Sequence, residues 1–223
     1  MIEKNFLKRI ITSFVLISIL FSMFISSMMM ILIVIIISAL SFYEFNRLFL
    51  RILENMFLKI LSSGLTLLYL FSFVFIIFWI ESVKVESPNY KLFFFYSIIV
   101  SIASDVGGYI TGNIFKGKKL TKISPNKTIS GSIGALIFSM LLIPIFYNDL
   151  SFVNINFLFL ATIFISIISQ LGDLFISFLK RLAKVKDTGN ILPGHGGVLD
   201  RVDGILFAAP FGLFLLDYIH TIS

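Results

Sequence analysis

Residues 10–43 read IITSFVLISILFSMFISSMMMILIVIIISALSFY. As one helix this 34-residue apolar run would extend about 51 Å at 1.5 Å per residue, far more than the roughly 30 Å of hydrocarbon that one span crosses. Lys4, Lys8 and Arg9 precede the run, and Arg47, Arg51 and Lys59 follow it. A single crossing would leave a basic cluster on each side of a bilayer. Two short helices turning near Ser26 and Ser27 place both clusters inside, as the positive-inside bias favours. The stretch therefore predicts a membrane hairpin, and with it an all-α polytopic bundle.

The remaining apolar runs extend the pattern. Ile60–Ile80 reads as a third span, Leu92 to about Phe115 as a fourth, and Ile129–Tyr147, Phe157–Leu179 and about Gly204–Ile219 as three more. This predicts a transmembrane bundle of about seven helices with two basic cytoplasmic loops, one around Lys116–Lys127 and one over Lys180–Asp203. All Lys and Arg except Lys84 and Lys91 then lie inside.

Composition agrees. Hydrophobic residues make up 58% of the chain and charged residues 13%, with mean hydropathy +1.02, whereas soluble domains carry about 25% charged residues. The net charge of +6 is spread between apolar runs as topogenic residues are and forms no long basic face, so a nucleic-acid partner is not expected. With no cysteine, disulfides, thiolate metal sites and thiol nucleophiles are excluded. Spans that continue to the end of the sequence argue against a secreted protein with a removable leader. The reading is one integral membrane domain, 1–223, with its chemistry in 104–204 and no internal repeat.

The segment SQLGDLFISFLKRLAKVKDTGNILPGHGGVLDRVDG, 169–204, joins an apolar helix to a loop dense in Lys, Arg, Asp and Gly. Asp173, Ser177, Lys180 or Arg181, and Lys184 recur at helical spacing and place carboxylate, hydroxyl and cations on one face. Asp173 falls about 10 Å inside the span. A carboxylate there costs several kcal/mol unless it is paired, metal-bound or facing water. Both a helix-stapling charge pair and a functional site satisfy that requirement. Asp200 and Asp203, three residues apart around Arg201, offer with Asp173 the hard oxygens that Mg²⁺ prefers. Between them, LPGHGG suits a tight turn, a nest of amides for a phosphate, or both at once, with Gly196 and Gly197 allowing close approach. His195 is expected to line such a site without acting as a base.

At these residues a resemblance appears. The run SFLKRLAKVKDTGNILPGHGGVLDRVD, 177–203, resembles the signature of the phosphatidate cytidylyltransferases, or CDP-diacylglycerol synthases. Ser177, Lys180, Arg181, Lys186, Asp187, Gly189, Pro193, His195, Gly196, Gly197, Asp200, Arg201 and Asp203 fall on its fixed positions. The segment SDVGGYITGNIFKGKKLTKISPNKTISGS, 104–132, is similar to the family's other inner region through Asp105, Gly108, Tyr109, Gly112, Gly117, Ser124, Pro125, Lys127, Thr128 and Gly131. It departs from the family pattern at Asn113, Ile129 and Ser130.

The resemblance implies an enzyme in which phosphatidic acid attacks the α-phosphorus of CTP. The expected products are CDP-diacylglycerol and pyrophosphate. It implies Mg²⁺ on Asp173, Asp200 and Asp203, with Lys180, Arg181, Lys186 and Arg201 on phosphates. Asp105, Ser124, Lys127, Thr128, Ser177, Asp187, His195, Gly196 and Gly197 would line the substrates. The expected setting is a bacterial inner membrane with the site on the cytoplasmic side, and a homodimer is compatible with it. Two alternatives stand beside this reading. One is a related CTP-dependent polyprenol or phytol kinase. The other is an ion or lipid transporter using Asp105 and Asp173 as coupling acids.

Overall fold

In the computed structural model the described residues are 2–82, 89–150, 153–194 and 196–222, excluding the side chains of 2–10, 89 and 222. His195, Lys84 and most of the expected outer loop around it, and the side chains of Lys4, Lys8 and Arg9 lie outside that description. The described chain is helical, with only two isolated β-bridges. The helices are α1 (Ile2–Ile25), α2 (Ser27–Ile52), α3 (Met56–Ser82), α4 (Asn89–Phe115), α5 (Ile129–Met140), α6 (Ile143–Phe146), α7 (Ile155–Leu182) and α8 (Leu199–Ile222). Six segments are long and apolar enough to cross a membrane, with α5 and α6 together forming one of them. The protein is a multi-pass membrane protein.

The long N-terminal run breaks at the expected place. Ser26 leaves helical geometry and its side chain accepts the Met29 N–H as the N-cap of α2, satisfying one of the donors that a helix start exposes. Other boundaries differ. α2 continues nine residues past Tyr43 to Ile52, carrying Glu44, Arg47 and Arg51 on the helix. α8 begins at Leu199, not near Gly204, so Asp200 and Asp203 are helical and one turn apart. The expected Ile129–Tyr147 span is α5 and α6 separated by a turn at Leu141 and Leu142.

Two compact units share these helices: Met1–Val85 with Leu179–Val202, and Glu86–Phe178 with Asp203–Ser223. In the first, α2 packs against both α1 and α3. α3 leaves Phe57, Leu61, Leu65, Leu68, Phe71, Phe75 and Phe78 exposed. Their three- and four-residue spacing draws an apolar stripe whose natural solvent is lipid.

In the second unit, hydrogen-bonded hydroxyls join α4 to α7. Tyr96 pairs with Thr162 at 2.6 Å, Ser101 with Ser169 at 2.7 Å, and Ser104 with Ser166 at 2.9 Å. All six residues are buried. Lipid tails give packed helices no hydrophobic advantage, so small residues and interhelical hydrogen bonds carry much of the specificity. The α4–α5 contact follows the same rule, with Gly108 and Gly112 meeting the backbone of Gly131.

Glycines at and away from these contacts should respond differently. A Cβ at Gly134 would collide with the Thr111 side chain, whereas one at Gly64 meets nothing within 4 Å. Gly134→Ala is expected to cost about 1–3 kcal/mol through overpacking, and Gly64→Ala to change stability by less than about 1 kcal/mol. Thermal unfolding of the two variants in detergent micelles checks the contrast.

Candidate functional site

The second unit holds a cavity of about 310 Å³ lined by α4, the loop after it, α5 and α7. The loop is shaped by its own backbone. Leu120 N–H donates to the Lys127 carbonyl at 2.8 Å and Ile129 N–H to the Lys118 carbonyl at 2.9 Å, while Lys127 N–H closes a turn onto Ser124 at 3.1 Å. Pro125 sits second in that turn, where its fixed φ suits the geometry. Thr128 then caps α5 by accepting the Gly131 N–H at 3.0 Å. Ser130 accepts the Gly117 N–H at 3.2 Å, so this departure from the family pattern has a local task.

These constraints bring Ser124, Lys127 and Thr128 to the cavity wall beside Asp105 of α4 and Asp173 of α7. Five expected site residues, from segments that are far apart in sequence, thus line one space. Lys127 forms an ion pair with Asp173, both one-quarter exposed. Ser132 also lines the cavity and donates to Gln170, whose amide reaches Ser166 at 3.4 Å. The polar wall therefore connects to the α4–α7 hydroxyl pairs. Ser177 is buried on α7, and Asp203 is buried on α8 with Oδ1 accepting the Gly204 N–H at 3.0 Å. Gly172 has no room for a Cβ because the Asp203 carbonyl and Phe207 ring lie against it, so Asp173 and Asp203 stand at one helix crossing.

The first unit organises the other signature residues around a side chain that sequence reading passed over. Glu44 is 0% exposed. Its Oε2 accepts from Thr188 Oγ1 at 2.7 Å and Leu199 N–H at 2.8 Å, and its Oε1 accepts from Val198 N–H at 3.1 Å. The last two donors belong to the start of α8, where the unsatisfied N–H groups and helix dipole favour an anion. Asp200 completes the arrangement. Its Oδ1 takes the Lys180 ammonium at 2.7 Å, and its Oδ2 faces Thr188 N–H, Thr188 Oγ1 and Gly197 N–H at 2.8, 3.0 and 3.0 Å. The single proton of the Thr188 hydroxyl is shared between two carboxylates.

Gly189 and Gly197 are required here by space, since a Cβ at either would strike Glu44. Leu192 and Gly196 exchange both backbone hydrogen bonds, closing a tight turn in which Gly194 and Gly196 have φ of 79° and 89°. The turn alternative for the glycines is thus realised. Lys186 and Asp187 line a separate cavity within this unit, and Arg181 and Arg201 are exposed.

Glu44 had one sequence signal: it is the only acid between Ile10 and Ile52. Ending the predicted helix at Tyr43 placed it one residue outside the membrane and hid its significance.

Among the described residues no group of three or more His, Asp or Glu side chains is gathered as a metal site. The donor chemistry nevertheless suits a divalent ion. Asp173 and Asp200 each hold a lysine ammonium, and carboxylate oxygens are the hard ligands that Mg²⁺ takes.

A family model described as the cytidylyltransferase family matches residues 48–219. Curated relatives bearing the name phosphatidate cytidylyltransferase match part of the chain. The Bacillus subtilis (strain 168) protein is 45% identical over 126 residues, covering 56% of this chain and 47% of the relative. The Staphylococcus haemolyticus protein is 48% identical over 124 residues, covering 54% and 47%. The Rickettsia bellii protein is 41% identical over 135 residues, covering 57% and 58%. The chain spans about half the length of the curated relatives it matches.

Glu44→Gln keeps the shape but turns an acceptor into a donor facing other donors. It is expected to lower stability by about 2–4 kcal/mol, read as a drop in Tm of the solubilised protein. Glu54→Gln, on an exposed residue just beyond α2, should leave Tm within error.

Proposed function

The chain belongs to the cytidylyltransferase family, and we propose that it transfers the cytidylyl group of CTP to phosphatidic acid, forming CDP-diacylglycerol and pyrophosphate. The observation that carries this reading is the meeting of Asp105, Ser124, Lys127, Thr128 and Asp173 around one cavity. Cation, hydroxyls and carboxylates there suit a nucleotide's phosphates and any divalent ion bound with them. The names of the relatives support phosphatidate as the acceptor.

In the proposed reaction a phosphate oxygen of phosphatidate forms a bond to the α-phosphorus of CTP. The bond from the α-phosphorus to the bridging oxygen breaks, and pyrophosphate leaves with that electron pair. The attacking oxygen is already anionic near neutral pH, so no strong base is assigned. Lys127 and Thr128 orient the nucleotide, and Lys180, Arg181, Lys186 and Arg201 supply positive charge to phosphates. Mg²⁺, when bound, neutralises phosphate charge and favours departure of pyrophosphate. Asp173 and Asp203 are its assigned ligands, and Asp200 is the third carboxylate of the expected set. Because Asp200 also holds Thr188 and Gly197, its removal should disturb the loop as well. CTP would arrive from the cytoplasm and the lipid from the inner leaflet of a bacterial inner membrane.

Purified protein in mixed micelles with labelled CTP, phosphatidic acid and Mg²⁺ tests the reading. CDP-diacylglycerol and pyrophosphate are expected in equal amounts; CDP with a phosphorylated lipid would mean a kinase, and lipid or ion flux without CTP turnover a transporter. Asp173→Asn and Asp203→Asn should each lower turnover about 100-fold or more with Tm nearly unchanged. Asp200→Asn should lower both turnover and Tm.

A further inference from the structure

The first unit contains a second cavity, about 260 Å³, at the C-terminal end of α2. Arg47 and Arg51 line it from the helix, and Lys186 and Asp187 from the 185–190 segment. Four-residue spacing places the two arginines on one helical face. Among the described residues Arg47, Arg51 and Lys186 have no hydrogen-bond or ion-pair partner, unlike Lys127 and Lys180, each of which holds a carboxylate. Three exposed cations lining one space repel one another mildly in water, and an anion sharing that space is attracted by all of them. Among the described residues Asp187 is the only acidic one lining the cavity. Two positive charges are thus left over, matching the nearly dianionic charge of a phosphate monoester near neutral pH.

Guanidinium groups suit phosphate through paired N–H donors, and the Lys186 ammonium adds a compact charge. Below the arginines, α2 exposes Met28, Leu32, Ile35, Ile36 and Tyr43, and Leu50 is 61% exposed between Arg47 and Arg51. A lipid-facing surface therefore runs up to the same helical turns as the cations. A phosphate anchored to acyl chains meets both features, whereas free phosphate uses only the charge.

We propose that Arg47, Arg51 and Lys186 form the binding site for the phosphate-monoester headgroup of a membrane lipid, which makes the two arginines acceptor-binding residues. The assignment of that lipid as the reaction's acceptor rests on the proposed transfer. The charge match favours a monoester over a diester headgroup, so phosphatidic acid should bind where phosphatidylcholine does not.

Isothermal titration of the solubilised wild-type protein, Arg47→Gln, Arg51→Gln and the double variant tests the site without turnover. Short-chain phosphatidic acid, short-chain phosphatidylcholine and inorganic phosphate are the probes. Phosphatidic acid is expected to bind the wild type, with each substitution weakening it about tenfold, equivalent to 1.4 kcal/mol. Phosphatidylcholine and inorganic phosphate are expected to bind at least tenfold more weakly. Unchanged phosphatidic acid affinity in the double variant overturns the site, and equal affinity for inorganic phosphate overturns the lipid assignment. Both arginines are exposed, and an unchanged Tm verifies folding. Kinetics separate the two proposals: a raised KM for phosphatidic acid at unchanged KM for CTP supports both. Binding without turnover in the wild type sinks the reaction alone, and turnover with an unaltered double variant sinks the site alone.

Discussion

A carboxylate buried to 0% exposure on an apolar helix has few ways to remain there. Glu44 satisfies the requirement by collecting the first N–H groups of α8 and the Thr188 hydroxyl. Losing any of these donors would leave charge facing a low-dielectric interior, at a cost of several kcal/mol. That penalty fixes the 188–199 segment on α2, and the segment in turn fixes Asp200 through Thr188 and Gly197. Lys180 then has a defined carboxylate to approach. The glycines follow from the same demand, because side chains at 189 and 197 would displace the Glu44 oxygens from their donors.

The second unit meets a related constraint by dispersing polarity. Its hydroxyl pairs between α4 and α7 each bury two groups that satisfy one another, so no lone charge is involved. This fixes helix register at modest cost, since interhelical hydrogen bonds in membranes are worth only about 0.6–2 kcal/mol each. The cavity lies at the end of that ladder, where Ser104 and Gln170 give way to Asp105, Asp173 and Lys127. The carboxylates of this wall are held by helices α4 and α7, whereas Lys127 and its neighbours from Leu120 to Thr128 depend on a loop.

Much of this was legible because its causes are local. The break at Ser26 followed from span length and the basic clusters flanking the run, while residue types and spacing singled out 104–131 and 173–203 and the family resemblance gave them their expected roles. What escaped depended on partners remote in sequence. Glu44 is separated from Thr188 by 144 positions, so nothing near residue 44 advertises the loop it holds. The apolar pattern also ends at Tyr43, although the helix continues to Ile52, because polar residues at a helix end can be helical while hydropathy falls. The same effect moved the apparent start of α8 from Leu199 to Gly204. Both errors removed charged residues from helices. Asp200 and Asp203 were singled out by residue type and three-residue spacing, but the helix that carries them starts at Leu199, earlier than expected.

The cations fall into two electrostatic classes, those paired with a carboxylate and those that are not. Lys127 and Lys180 each neutralise an aspartate, so the divalent ion of the proposed reaction would compete at Asp173 or Asp200 with an ammonium already present. Displacing that ammonium would free a positive charge close to the arriving ion, where nucleotide phosphates could take it up. Metal and nucleotide binding would then reinforce each other, because each supplies the counter-charge that the other leaves exposed. Arg47, Arg51 and Lys186 have no such resident carboxylate. An anion there would meet cations that are not already paired. Under the proposed reaction, the first arrangement would favour ligands that arrive together and the second a ligand that binds alone, as an acceptor resident in the bilayer would.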